Sequence, residues 1–171
     1  MAEDLEGICK EAVKLGASEA KAIKAKDVVT AEWVRLKCQF GCDGYNQHLT
    51  CPPFSPTPDL MRKTLDEYEW AILLKFKPPW PDKIRLVITD IERAVFLSGY
   101  YKAFGLASGP CEICEECNVE EGICKNPDKA RPSMEACGID VYATARGAGF
   151  PIKVVRTHDE TPTYYCLVLV G

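Results

Sequence analysis

Ile152-Lys-Val-Val-Arg-Thr-His-Asp-Glu-Thr-Pro-Thr-Tyr-Tyr-Cys-Leu-Val-Leu-Val170 is the stretch that decides the fold class. Ile152 to Thr157 and Tyr164 to Val170 are both of strand length and rich in β-branched and aromatic residues. His158 to Pro162 supplies turn residues between them, which predicts an antiparallel hairpin. Upstream, Trp70 to Phe76 is an apolar run with the length of a buried strand, ended by Pro78-Pro79-Trp80-Pro81. Ala22 to Lys37 also reads as β, through Val28-Val29-Thr30 and Trp33-Val34-Arg35-Leu36, and would deliver Cys38 at a strand end.

Helical spacing falls between these runs. Residues 2 to 15 carry Leu5, Ile8, Cys9, Val13 and Leu15 on one side, with Gly16 as a stop. Thr57-Pro58-Asp59 reads as a capped helix start, with the helix continuing to about Tyr68. Asp82 to Phe104 predicts a long helix with Ile84, Val87, Ile88, Ile91, Val95 and Phe96 on one face. Ser133 to Ala145 predicts another, with Ser133 as N-cap and Gly147 past its end. Helices and strands mix without a βαβ repeat. The expectation is a single-domain α+β (or α/β) sandwich over residues 1–171, with a mixed or antiparallel sheet. Cysteine-rich loops interrupt it at 38–58 and 105–132, the second being a metal-binding insertion.

A net charge of −4 leaves no basic footprint for nucleic acid. No apolar run has the length to span a membrane. The N-terminus, Met-Ala-Glu-Asp-Leu-Glu, is acidic and lacks a hydrophobic signal region, so a cytoplasmic location is expected. Thiols stay reduced there, and clustered cysteines act as ligands more often than as disulfides.

Seven of the ten cysteines fall into two groups. Cys111, Cys114 and Cys117 follow one another at two-residue gaps, and Cys124 completes a quartet. Each such gap lets a turn aim two sulfurs at one centre. The chained gaps match the pattern of a four-iron, four-sulfur cluster. Structural zinc more often takes two such pairs across a longer span, and it stands as the alternative. Gly109-Pro110 and Gly122 let the backbone turn around the thiols. Glu112, Glu115, Glu116, Glu120 and Glu121 would oppose further reduction of an anionic centre, or serve as a solvated acidic loop.

Cys38, Cys42 and Cys51 form the second group. Three thiolates can hold a four-iron cluster and leave one iron open to substrate or to another ligand. His48 is a candidate for that ligand and Asp43 a weaker one, although an exposed loop histidine is the commoner outcome. Zinc completed by His48 is another reading, and convergence of both cysteine groups on one larger site is a third. Phe40, Tyr45 and Phe54 are candidates to shield the triplet. Cys9 and Cys166 read as small core residues, and Cys137 as a reserve ligand. Arg131, ahead of the Ser133 helix, is a candidate to bind an anion. Ser133 and His158 form no recognisable triad, and no dinucleotide or P-loop glycine pattern is present.

CQFGCDGYNQHLTCPPFSPTPD (38–59) and GPCEICEECNVEEGICKNPDKARPSMEACGIDV (109–141) resemble the two signatures of an uncharacterised family of predicted metal-binding, cysteine-rich proteins of archaea and anaerobic bacteria. The resemblance covers most of the chain. It implies metal binding at Cys38, Cys42 and Cys51 and at Cys111, Cys114, Cys117 and Cys124, and a role in anaerobic metabolism. Three functions are expected from the residues and the resemblance together. The first is an iron–sulfur protein with one or two four-iron clusters, carrying electrons to a redox partner protein or a larger anaerobic enzyme. The second is an enzyme using an open iron on the triplet for reductive or sulfur chemistry. The third is a zinc-stabilised binding module.

Overall fold

The computed structural model describes residues 2–171. Its centre is a four-stranded sheet of β1 (Glu19–Lys24), β2 (Trp70–Phe76), β3 (Phe104–Leu106) and β4 (Tyr164–Val170), in the order β1-β2-β4-β3. All neighbouring strands are antiparallel. Among the described residues, five helices surround the sheet: α1 (Ala2–Lys14), α2 (Trp33–Gly41), α3 (Pro58–Leu65), α4 (Ile84–Leu97) and α5 (Val141–Gly147). The fold is an α+β sandwich.

The inner strands β2 and β4 are apolar on both sides because both faces of the sheet are covered. Ile72, Leu74, Phe76, Cys166, Val168 and Val170 pack with Leu5, Ile8 and Ala12 of α1 and Ile88, Ile91 and Val95 of α4. Leu73, Tyr165, Leu167 and Leu169 point the other way, onto Met61 and Leu65 of α3, Ile139, and Val141 and Ala145 of α5. Each fully buried aliphatic side chain of this kind stabilises the fold by about 1.5–3 kcal/mol. Lys75, the one charge in β2, is paired at 2.7 Å with Glu19, its register partner on β1.

The helix start at Thr57 forms as its sequence indicates. Thr57 Oγ1 accepts from the Leu60 N–H at 3.2 Å and Pro58 occupies the first turn, though the helix stops at Leu65. Four expectations are corrected. Trp33 to Gly41 is helix α2, and β1 ends at Lys24, well before it. In α2 only Val34 is buried, while Trp33, Leu36 and Phe40 are exposed, so strand propensity there had no sheet face to pack against. Ile152 to Thr157 is irregular, and no closing hairpin forms. Both edges of β4 are already paired, to β2 and β3, which leaves that segment no partner. The helix expected over 82–104 ends at Leu97 with Phe96 in solvent, and Phe104 opens β3 instead. Gly105 makes this possible: a Cβ there would lie 2.6 Å from Ile88 Cγ2, so a bare backbone lets β3 approach α4. The helix expected over 133–145 is broken at Gly138, whose φ of 75° separates a 3-10 turn (Glu135–Cys137) from α5. Ser133 Oγ caps the turn at 3.0 Å, and Asp140 Oδ1 caps α5 at 2.9 Å.

Candidate metal centre

The triplet is built around the end of α2. Cys38 lies in the last turn, Cys42 is the C-cap, and Cys51 sits in the loop that follows. Arg35 on the same helix fixes its position. Its guanidinium donates to Ser55 Oγ at 3.0 Å and to the Ala136 carbonyl at 2.8 Å. Cys38, Cys42 and Cys51 together line a groove of about 880 Å³. Ile152, Val154, Val155 and Tyr164 form part of its wall, so the segment that does not become a strand borders the groove instead.

Gly44 brings two of these thiols together. Its N–H donates to Cys42 Sγ at 3.4 Å. A Cβ on Gly44 would lie 3.5 Å from both Cys42 Sγ and Cys51 Sγ, so both sulfurs border one small space. Burial pushes the Cys51 thiol up to about 11, and the neighbouring Cys42 and Cys38 add to the shift. Burial also raises Cys38, followed by Cys42 and Glu135 beside it. Thiolates held off in this way are stabilised by an incoming cation, whose charge reverses the local balance.

The quartet occupies the loop between β3 and the Glu135 turn. Cys111, Cys114, Cys117 and Cys124 are all half-buried free thiols lining one small cavity of about 20 Å³. Two N–H donors address its sulfurs. Asn126 Nδ2 donates to Cys114 Sγ at 3.1 Å, and the Leu49 backbone N–H donates to Cys117 Sγ at 3.4 Å. Leu49 belongs to the triplet's loop, so that loop contacts the quartet. Neither cavity is lined by cysteines of both groups. Among the described residues, no three His, Cys, Asp or Glu side chains stand close enough together to hold a metal ion. Glu112, Glu115, Glu116, Glu120 and Glu121 are all exposed around the quartet.

Two charged residues at this junction carry no motif and escaped the sequence reading. Arg85, on α4, is only 6% exposed. Its guanidinium donates to the carbonyls of Ser108, Gly109 and Pro110, just ahead of Cys111, and to that of Arg131. Burial lowers its pKa, while Cys111, Cys166, Cys51 and Glu112 act the other way. Glu135 lines the triplet's groove, and its carbonyl accepts from Cys38 Sγ at 3.8 Å. Its Oε2 is buried without a hydrogen-bond partner, and burial holds its carboxyl above the usual range. Ordinary helical spacing conceals both residues, because only the tertiary contacts bury them.

The remaining candidates are placed as follows. His48 is half-buried and does not line the groove with the three cysteines, and Asp43 is exposed. Tyr45 lines the groove, whereas Phe40 and Phe54 are exposed. Cys137, the reserve ligand, is fully buried in the core, and burial pushes its thiol up to about 12. Cys166 is fully buried, and Cys9 packs half-buried against the α1–α4 core. Arg131 is engaged by Glu92 in a two-pronged ion pair at 2.6 and 2.7 Å, so no guanidinium is left there for an anion. His158 is exposed.

The family model described as Predicted metal-binding protein (DUF2284) matches residues 21–170. The chain belongs to this family. Members are described as predicted metal-binding proteins, and the match spans both cysteine groups and all of the sheet except the first two residues of β1. Comparison with curated proteins and with solved structures gives no match. Among the described residues, no helix is long and apolar enough to cross a membrane.

Proposed function

We propose that this family member is an iron–sulfur protein in which Cys111, Cys114, Cys117 and Cys124 hold a four-iron cluster, and in which Cys38, Cys42 and Cys51 hold a second metal centre. The observation that carries the reading is the spacing of the quartet, Cys111, Cys114 and Cys117 at chained two-residue gaps with Cys124 beside them, all four free thiols addressed by the Leu49 and Asn126 donors. A bound cluster supplies one-electron transfer, and the protein sets its potential by hydrogen bonds to sulfur and by local charge. Leu49 and Asn126 favour added negative charge on the sulfurs. Arg85, buried against the backbone just ahead of Cys111, acts in the same sense. The exposed glutamates act in the opposite sense, damped by solvent. Electrons would pass to a redox partner protein or a larger enzyme.

The groove favours a second reading, in which the triplet is a reaction site. A carrier needs no cavity of about 880 Å³ beside three thiols, whereas a substrate does. In that case the quartet feeds electrons to an open iron on the triplet, and reductive or sulfur chemistry follows there. Zinc remains the competitor at the quartet, because its cavity of about 20 Å³ admits a single ion more readily than a cluster unless the loop opens.

Iron, acid-labile sulfide and zinc, measured per chain after anaerobic purification, test the proposal. About eight iron and eight sulfide support two four-iron clusters. About four of each support the quartet alone. Stoichiometric zinc without sulfide overturns the iron–sulfur reading.

A further inference from the structure

The triplet lacks a fourth cysteine in the sequence pattern, His48 does not line its groove, and the structure puts an unassigned carboxylate beside it. Glu135 shares the groove with Cys38, Cys42 and Cys51. Its own carbonyl accepts from Cys38 Sγ at 3.8 Å, so its side chain departs from the rim of the triplet. Ser133 and the residue's own backbone hydrogen-bond its carboxyl, but Oε2 is buried and has no hydrogen-bond partner. The Arg35 guanidinium is taken up by Ser55 and the Ala136 carbonyl and forms no ion pair with Glu135. A buried carboxylate oxygen left without a partner is costly, and buried charges are found paired or bound to metal. The other nearby thiol, Cys137, is fully buried in the opposing core.

We infer that Glu135 is the fourth protein ligand of the metal centre held by Cys38, Cys42 and Cys51. This rests on the reading that the triplet binds metal. Glu135 has three rotatable side-chain bonds, so its carboxyl swings toward the thiols without moving the backbone. A carboxylate oxygen is a harder and more weakly held donor than a thiolate, which suits a position that a substrate in the groove displaces. The site then has three permanent thiolates and one exchangeable carboxylate facing about 880 Å³ of groove.

The test uses the full chain carrying Cys114→Ser and Cys117→Ser, purified without oxygen, so that metal content and the Mössbauer and paramagnetic spectra report the triplet alone. The parent must hold metal. If it holds none, the triplet reading fails and the Glu135 inference falls with it. Given a loaded parent, Glu135→Cys is expected to retain the metal and move its spectrum to an all-thiolate signature. Glu135→Gln is expected to weaken metal binding by about tenfold or more, the scale of loss seen even for outer-shell partners. Unchanged content and spectra in both variants overturn the inference and leave Glu135 as a protonated structural acid. If the double-serine chain does not fold, the same Glu135 substitutions are read by Mössbauer spectroscopy in the otherwise intact chain, where the quartet contributes equally to every sample.

Discussion

If the triplet holds metal as proposed, Gly44 sits where a methyl group would compete with it. Its Cβ would lie 3.5 Å from two triplet sulfurs and 3.3 Å from Pro110 Cβ, in the space a shared ligand must enter. Gly44→Ala is therefore expected to lower metal content at the triplet while far-UV circular dichroism stays unchanged. Metal analysis alongside the spectrum checks this. The thiols also make a prediction through pH. Burial pushes Cys51 up to about 11, so at neutral pH the metal-free thiol is protonated and a poor nucleophile. In the metal-free chain, alkylation of Cys51 should accelerate about tenfold per pH unit until pH approaches 11. Metal uptake at the triplet should strengthen with pH over the same range, since binding displaces the proton. Cys137 and Cys166, pushed up to about 12 and fully buried, should stay unlabelled until the chain unfolds, and mass spectrometry reads the order. The seven clustered cysteines were legible from spacing alone. Arg85 and Glu135 were not, because nothing in the spacing distinguishes a buried charge from a solvated one on the same helix turn.

Among the elements, the Gly138 hinge carries the sharpest prediction. It ends the turn that holds Glu135 and starts the approach to α5, with φ at 75°. A Cβ there would meet Pro58 Cγ at 2.3 Å and Pro58 Cα at 2.9 Å, so the first turn of α3 blocks any side chain. Gly138→Ala is expected to destabilise the fold by about 2–5 kcal/mol, combining left-handed strain with overpacking, as read from denaturant midpoints. Thr57→Ala, at the start of the same helix, should cost about 1 kcal/mol through loss of the N-cap bond. The capped start of α3 and the run of β2 were readable because their signals are local: a cap, a proline, a continuous apolar stretch. α2 and the segment from Ile152 to Thr157 were misread because strand propensity needs an unpaired neighbour. β4 had none to offer, and Trp33 to Gly41 packs only one side chain, Val34, into the interior.

For the molecule as a whole, the division between core and loops matters most. The side-chain clusters on the two faces of the sheet contain Cys137 and Cys166 but none of the seven clustered cysteines. The quartet's loop is fastened at its base by Arg85 and at its far end by the Arg131–Glu92 pair, not by its thiols. Stripping metal from the holo-protein should therefore leave slow amide exchange in β2 and β4 intact, while amides between Ser108 and Arg131 exchange faster. Exchange mass spectrometry of the two forms checks this, and collapse of protection throughout the sheet would show that the core depends on metal. The two-faced sheet was legible from the doubly apolar strands, whereas the contact between the triplet's loop and the quartet was not, since Leu49 and Cys117 are far apart in sequence. A core that closes without its inorganic partner would also set an order of manufacture. The ribosome would deliver a finished receptacle, and loading would follow as a separate event on a chain already shaped to receive it. Under the iron–sulfur proposal, a molecule stripped by an oxidant would then be a vessel to be refilled rather than a casualty to be degraded.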